Sequence, residues 1–292
     1  MKTFIPAPSS VSKYFLVTSK WFPRIIRVIW LLTVGLIVGV PLFVYAVIWN
    51  PVNLFGGMPS LAQIENPQND LSSELISADG HSLGRYFREH RSEVTFEELP
   101  DHLVSILLMS EDHRFRNHAG LDFEAYLRVI KGILTFSSQG GGSTLTQQTA
   151  KNLFRTREEE LEGRLAKVSG PLAMLISKTK EWIIAVRLEE TFTKEEIIAL
   201  YFNTVPFNNN AFGIKVAAET YFKKEPHELK LHECALLVGM LQGTVLYNPI
   251  RHPERARNKR NDVLAKRVDQ RYITSTKGDS LKALPLSLNF AV

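Results

Sequence analysis

Residues 140–152 read GGGSTLTQQTAKN. Three glycines release the backbone from regular structure, and the ten residues after them suit a polar helix. Ser143 stands where a helix cap is wanted. Gln147 and Lys151 fall four apart and share a face, with Gln148 one step round. Two amides suit sugar hydroxyls, and an ammonium suits phosphate. The glycine turn is not a P-loop, because no Lys-Ser/Thr follows at the required spacing. Alone, the stretch reads equally as a polar surface helix.

Outward from it the chain is rich in helix. From Phe96 onward, apolar residues recur at helical spacing in LPDHLVSILLMSEDHRFRNH, DFEAYLRVIKGILTF, PLAMLISKTKEWIIAVRLEETF, FGIKVAAETYF and ELKLHECALLVGML. TKEEIIALYFN opens with a capping box, Thr193 at the cap and Glu196 three residues on. SELISADGHSLGRYF places a strand-like run on each side of Asp79-Gly80, the signal of a hairpin. The expectation is a mostly α protein with one short β-hairpin.

The 292 residues are 45% apolar and 22% charged, an ordinary globular balance. Residues 1–50 hold Lys2, Lys13, Lys20, Arg24 and Arg27 and no acid, so the net charge of +5 sits in that arm. The remaining bases and acids balance, which argues against nucleic acid as a partner. Residues 28–49, VIWLLTVGLIVGVPLFVYAVIW, carry no charge. They match the roughly 20 residues that span a bilayer, with Trp30 and Trp49 near the ends. The basic flank puts the N-terminus in the cytoplasm and the rest outside it. The lone cysteine, Cys234, lies in an apolar run and reads as a buried structural thiol.

Three clusters could carry chemistry. In SEDHRFRNHAG, Glu111, Arg114 or Phe115, and His118 share one face if the helix continues, a carboxylate beside a cation and an aromatic. No further His, Asp or Cys at ligand spacing accompanies His118, which speaks against zinc. In SKTKEWIIAVRLEE, Lys178 and Glu181 are three apart, either a surface ion pair or a charged site for a phosphorylated leaving group. The third cluster is the opening stretch.

Together and in order, these pieces resemble the peptidoglycan glycosyltransferases of glycosyltransferase family 51, from about residue 75 to residue 290. EDHRFRNHAG, GGSTLTQQTAKN and KTKEWIIAVRLE match the first three motifs. KEEIIALYFN with AFGIKVAAETYF, and HECALLVGMLQGTVLYNP, match the last two. The resemblance implies a lysozyme-like helical head and a smaller membrane-associated jaw, for which YLRVIKGILTF is the greasy candidate. It implies a bacterial cytoplasmic-membrane enzyme that polymerises lipid II onto a growing glycan strand, beside other cell-wall synthesis proteins. Glu111 corresponds to the family's catalytic base and Glu181 to its second glutamate, with room for a divalent cation (Mg or Mn) near Glu181 and no other cofactor. Lys151 and Lys178 correspond to phosphate-side lysines. Ser143, Thr144, Gln147, Gln148, Asn152, Arg114, Phe115 and His118 fall at substrate-groove positions.

The domain reading is a basic arm (1–27), a membrane helix (28–49), a linker (50–72) and a glycosyltransferase domain (73–272). The tail, 273–292, resembles the start of a linker to a transpeptidase domain. The chain is then either monofunctional or the front of a bifunctional protein. Three departures stand out. Ser177 replaces an arginine of the third motif, leaving Arg155, Arg157 or Arg164 to supply the cation; Asn208 and Lys223 stand where glycine is usual. Two rival readings remain. A glycan hydrolase of the same fold would need no phosphate lysines, and a non-catalytic scaffold would need neither glutamate. The eight bases and three acids of 251–271 fit a solvated helix face better than a lipid contact.

Overall fold

The computed structural model describes residues 22–67, 73–76, 82–86, 93–135, 137, 141–157 and 163–290. The chain divides into two compact units, residues 1–54 and 55–292. The first is built on α1 (Phe22–Trp49), a single 28-residue helix. At 1.5 Å per residue it is about 40 Å long, and from residue 28 to residue 49 it carries no charge. By length and composition it can cross a membrane. It starts six residues before the stretch read as the span and so includes Arg24 and Arg27. Most of the basic arm, 1–21, lies outside the described residues.

The second unit is mostly helical. After α2 (Leu61–Glu65), β1 (Ser73–Ile76) and β2 (Ser82–Tyr86) pair antiparallel, with Ser73 opposite Tyr86. The turn between them lies outside the described residues. The helices that follow are α3 (Asp101–Glu111), α4 (Phe123–Leu134), α5 (Leu145–Phe154) and α6 (Gly170–Thr191). Then come α7 (Lys194–Thr204), α8 (Ile214–Phe222), α9 (Leu231–Leu241), α10 (Pro253–Asp269) and α11 (Ser275–Ala283).

At the centre lies α9, largely apolar and buried from His232 to Met240, with Glu233 paired to Lys224. α3 and α10 pack on it. Burial pushes the Cys234 thiol up, so it stays protonated and packs as a small apolar group. Truncating a core leucine such as Leu237 to alanine costs about 2–5 kcal/mol. A smaller cluster of Ile64, Ala150, Ile184 and Leu188 joins α2, α5 and α6. Ile64 therefore ties part of the 50–72 stretch into this unit.

The local chemistry at element ends is largely that of the sequence. Thr193 and Glu196 form their capping box. Ser169 caps α6, with Pro171 in its first turn, where a missing N–H costs nothing. Asn208 (φ 66°) and Lys223 (φ 57°) both adopt the left-handed conformation that glycine would take. Asn208 is supported by its own Oδ1 accepting from Asn209 N, and Lys223 closes the C-terminus of α8. The glycine-rich shape of these turns thus survives without glycine.

The tail does not leave the unit. α11 lies against α10, and Leu281, Leu286, Leu288 and Phe290 pack on the core. Buried Arg260 donates to Lys282 O and Pro285 O, and Asn289 N donates to Tyr221 O.

Candidate active site

α3 ends at Glu111, and the chain turns at Asp112. Arg114, Phe115 and His118 therefore do not continue a helical face with Glu111. Phe115 is core, 1% exposed. Arg114 pairs with Asp122 and Glu124 at the start of α4. His118 Nε2 sits 3.1 Å from Asp112 Oδ2, with both side chains buried. All three residues thus make contacts within the protein, and Arg114 keeps part of its side chain in solvent. A helix-face argument fails here because the turn at Asp112 comes directly after the glutamate.

Glu111 itself has a sparse environment. Gln148 Nε2 donates to its Oε2 at 3.1 Å. Its Oε1 is buried and accepts no hydrogen bond among the described residues. Tyr201 fixes the amide: its hydroxyl donates to Gln148 Oε1 at 3.4 Å, which turns the NH2 toward the carboxylate. Tyr201 is fully buried, and burial, followed by the nearby Glu111 charge, raises its pKa well above the usual phenol value. It therefore remains a donor.

The helix that carries Gln148 is pinned at its start. Thr144, not Ser143, is its cap, accepting from Gln147 N and donating to Gly120 O at 2.7 Å. Asp112 Oδ2 accepts from Leu145 N at 2.8 Å. Gln147 is wholly buried and donates to Gly120 O and Tyr126 OH, so it holds the fold rather than a sugar. Gly120 has φ +83°, and a Cβ there would meet Ala185 O at 2.9 Å. Only glycine lets this loop lie against α6.

Ser143 is free for another role. Its Oγ accepts from Lys178 Nζ at 2.8 Å. Lys178 also lies 2.7 Å from Glu181 Oε2, an ion pair without hydrogen-bond geometry. Arg157 Nε donates to Glu181 Oε1 at 2.9 Å. Glu181 is 1% exposed, while Arg157 and Lys178 keep part of their length in solvent. Of the three arginines that could replace the one missing at Ser177, Arg157 is the one that meets the glutamate. Lys151 makes no ion pair among the described residues. Desolvation first, then the nearby charges of Arg157 and Lys178, lower its pKa against the opposing pull of Glu181. Three cations thus surround one carboxylate, an electrostatic arrangement that favours an added anion. Asn152 sits half-buried one residue beyond Lys151.

This donor set does not fit a divalent metal. A single carboxylate is engaged by two cations, and no group of three His, Cys, Asp or Glu side chains occurs among the described residues. A dication would have to displace Arg157 and Lys178 from Glu181.

Sequence reasoning missed Asp112 and Tyr201 as partners of the site. Asp112 stands beside Glu111 in the EDHRFRNHAG stretch, so its adjacency is a usable signal. Tyr201 meets Gln148 only through folding.

A family model described as Transglycosylase matches residues 79–268. Penicillin-binding protein 1A of Aquifex aeolicus is 34% identical over 238 residues, covering 81% of this chain and 31% of that protein. Penicillin-binding protein 1A of Pseudomonas aeruginosa is 30% identical over 271 residues, covering 92% of this chain and 31% of that protein. Penicillin-binding protein 1F of Bacillus subtilis is 31% identical over 219 residues, covering 75% and 29%. The chain spans about a third of the length of these curated relatives. A crystal structure of penicillin-binding protein 1A from Haemophilus influenzae aligns with a TM-score of 0.41 at 18% identity, covering 77% of this chain and 22% of that one.

Proposed function

From the premise that the chain belongs to the transglycosylase family, we propose that it polymerises lipid II into peptidoglycan glycan strands. The growing strand is the donor and lipid II the acceptor. Glu111 accepts the proton of the attacking sugar hydroxyl. The hydroxyl oxygen forms a bond to the donor anomeric carbon with inversion, as the C–O bond to pyrophosphate breaks. Undecaprenyl pyrophosphate leaves with the electron pair, and its growing charge is met by Lys151, Arg157 and Lys178. Fixed cations aimed at a leaving group stabilise the transition state more than the ground state. Glu181 holds Arg157 and Lys178 in place.

The observation that carries this reading is one carboxylate with an open oxygen, Glu111, alongside a separate cluster of three cations about Glu181. A hydrolase needs the first and has no use for the second. The exposed apolar side chains of α4 support a membrane setting. Phe123, Leu127, Ile130 and Ile133 follow helical spacing and are 53% to 71% exposed. Such a stripe suits the acyl boundary of a bilayer, where the lipid carrier of the substrate resides. We read the N-terminus as cytoplasmic and the second unit as lying outside the cytoplasmic membrane.

Purified full-length chain in detergent or nanodiscs, given labelled lipid II, is expected to yield long glycan strands. Digestion of finished glycan without polymerisation would support the hydrolase instead. Neither activity would support the scaffold.

A further inference from the structure

Lys194 opens α7 directly after its Thr193 cap. A cation in the first turn of a helix faces the positive end of the helix dipole, an unfavourable place for it. Its ammonium instead turns back toward three acceptors. Glu189 Oε2 lies at 2.7 Å, Glu189 Oε1 at 2.8 Å and His118 O at 2.6 Å. The same ammonium sits 4.3 Å above the Phe115 ring. Glu189 is almost buried, and its Oε1 also accepts from Thr146 Oγ1 at 2.5 Å. One cation thus joins α7, the end of α6, the 112–118 loop and, through Glu189, the first turn of α5.

The other end of that loop is tied to the same turn. Asp112 accepts from Leu145 N and holds His118. The loop is therefore clamped at Asp112 and at His118 O, with Thr146 and Leu145 as neighbouring anchor points on α5. Glu111 is the residue before the clamp, and Gln148 lies within the next turn of α5. Whether Gln148 meets Glu111 depends on the register of α5 against the end of α3, and this clamp fixes that register. Exposed Arg116–Glu195 repeats the connection on the surface.

We infer that Lys194, acting through Glu189 and Thr146, is a positioning residue that aligns the Gln148–Glu111 pair for proton removal. It touches neither the three-cation cluster nor any atom assigned to substrate. The inference rests on the reading of Glu111 as the base.

The test is a double-mutant comparison in the full chain, with kcat and KM measured separately. Lys194→Met is expected to lower kcat about tenfold with little change in KM, because misplacement of catalytic groups acts on the chemical step. Gln148→Ala is expected to lower kcat by a similar factor. The double variant should be no slower than the worse single variant, since both remove the same alignment. Thr146→Val, which removes the tether without changing charge, should reproduce the kcat loss in milder form and keeps the test open if Lys194→Met unfolds. Multiplying losses in the double variant, or a loss of activity that only follows the folded fraction, would overturn the inference. If Glu111→Gln still polymerises, the reading of the base fails instead.

Discussion

Around Glu111 the described residues supply one neutral donor, the Gln148 amide, and leave a buried oxygen open. Around Glu181 they supply two cations and leave no oxygen without a charged neighbour. Both carboxylates stand on helices beside α5, and the same helix serves them differently. Its middle offers an amide, while the residue before its cap, Ser143, steadies Lys178. The carboxylate proposed to accept a proton keeps one oxygen without a protein donor among the described residues, whereas the one proposed to organise cations has a cation at each oxygen. The contrast fits the different roles proposed for the two glutamates.

The sharpest way to break the contrast is Glu111→Gln. It keeps shape and the Gln148 contact but cannot take a proton, and polymerisation is expected to fall roughly 10²–10⁴-fold. Arg157→Ala comes next. One charge-assisted contact to the leaving group is worth about 1.5–3 kcal/mol, so turnover and pyrophosphate binding should each fall about 10- to 100-fold. Raised salt should weaken the wild type more than the variant. Glu181→Gln should act on stability first. It leaves Arg157 and Lys178 beside a neutral group, and because both reach solvent the cost should be about 2 kcal/mol rather than the larger penalty of a fully buried pair. Thermal unfolding would register this. A collapse of pyrophosphate affinity in Glu181→Gln that magnesium restores would instead revive a metal role.

The smallest effect concerns Lys151. Its pKa is lowered from 10.5 in the folded chain, so folding disfavours its charged form. Between the lowered value and 10.5 the unfolded chain holds more protons, and stability therefore rises with pH in that window. Lys151→Gln should gain on the wild type at neutral pH, with the gap closing as pH climbs toward 10.5. Denaturant titrations at several alkaline pH values would show it. A gap that widens with pH would contradict the placement of Lys151 beside Arg157 and Lys178.

Much of this was legible in the sequence, for physical reasons. The helices are set by apolar spacing and by local caps, and a local cap such as Thr193–Glu196 is visible over four residues. Glu111, Gln148, Lys178 and Glu181 were legible because they fall within quoted motifs. Gln147 and Phe115 were misplaced because a polar or aromatic residue in a motif gives no sign of whether it faces the groove or the core. Gln147 turns inward to Gly120 and Tyr126, two contacts that exist only after folding. Arg157 could be narrowed to one of three arginines but not chosen, because the segment beyond Lys151 carries no periodicity that aims a side chain. Lys194 was legible only as part of a helix start; its partners are 5 and 76 residues away.

The division of labour between the two glutamates is tested most directly by measuring polymerisation and pyrophosphate binding on the same samples of Glu111→Gln and Arg157→Ala. The account predicts that Glu111→Gln binds pyrophosphate like the wild type and makes no strands, while Arg157→Ala binds weakly and still makes them slowly. Strands from Glu111→Gln at the wild-type rate, or unchanged binding in Arg157→Ala, would contradict it.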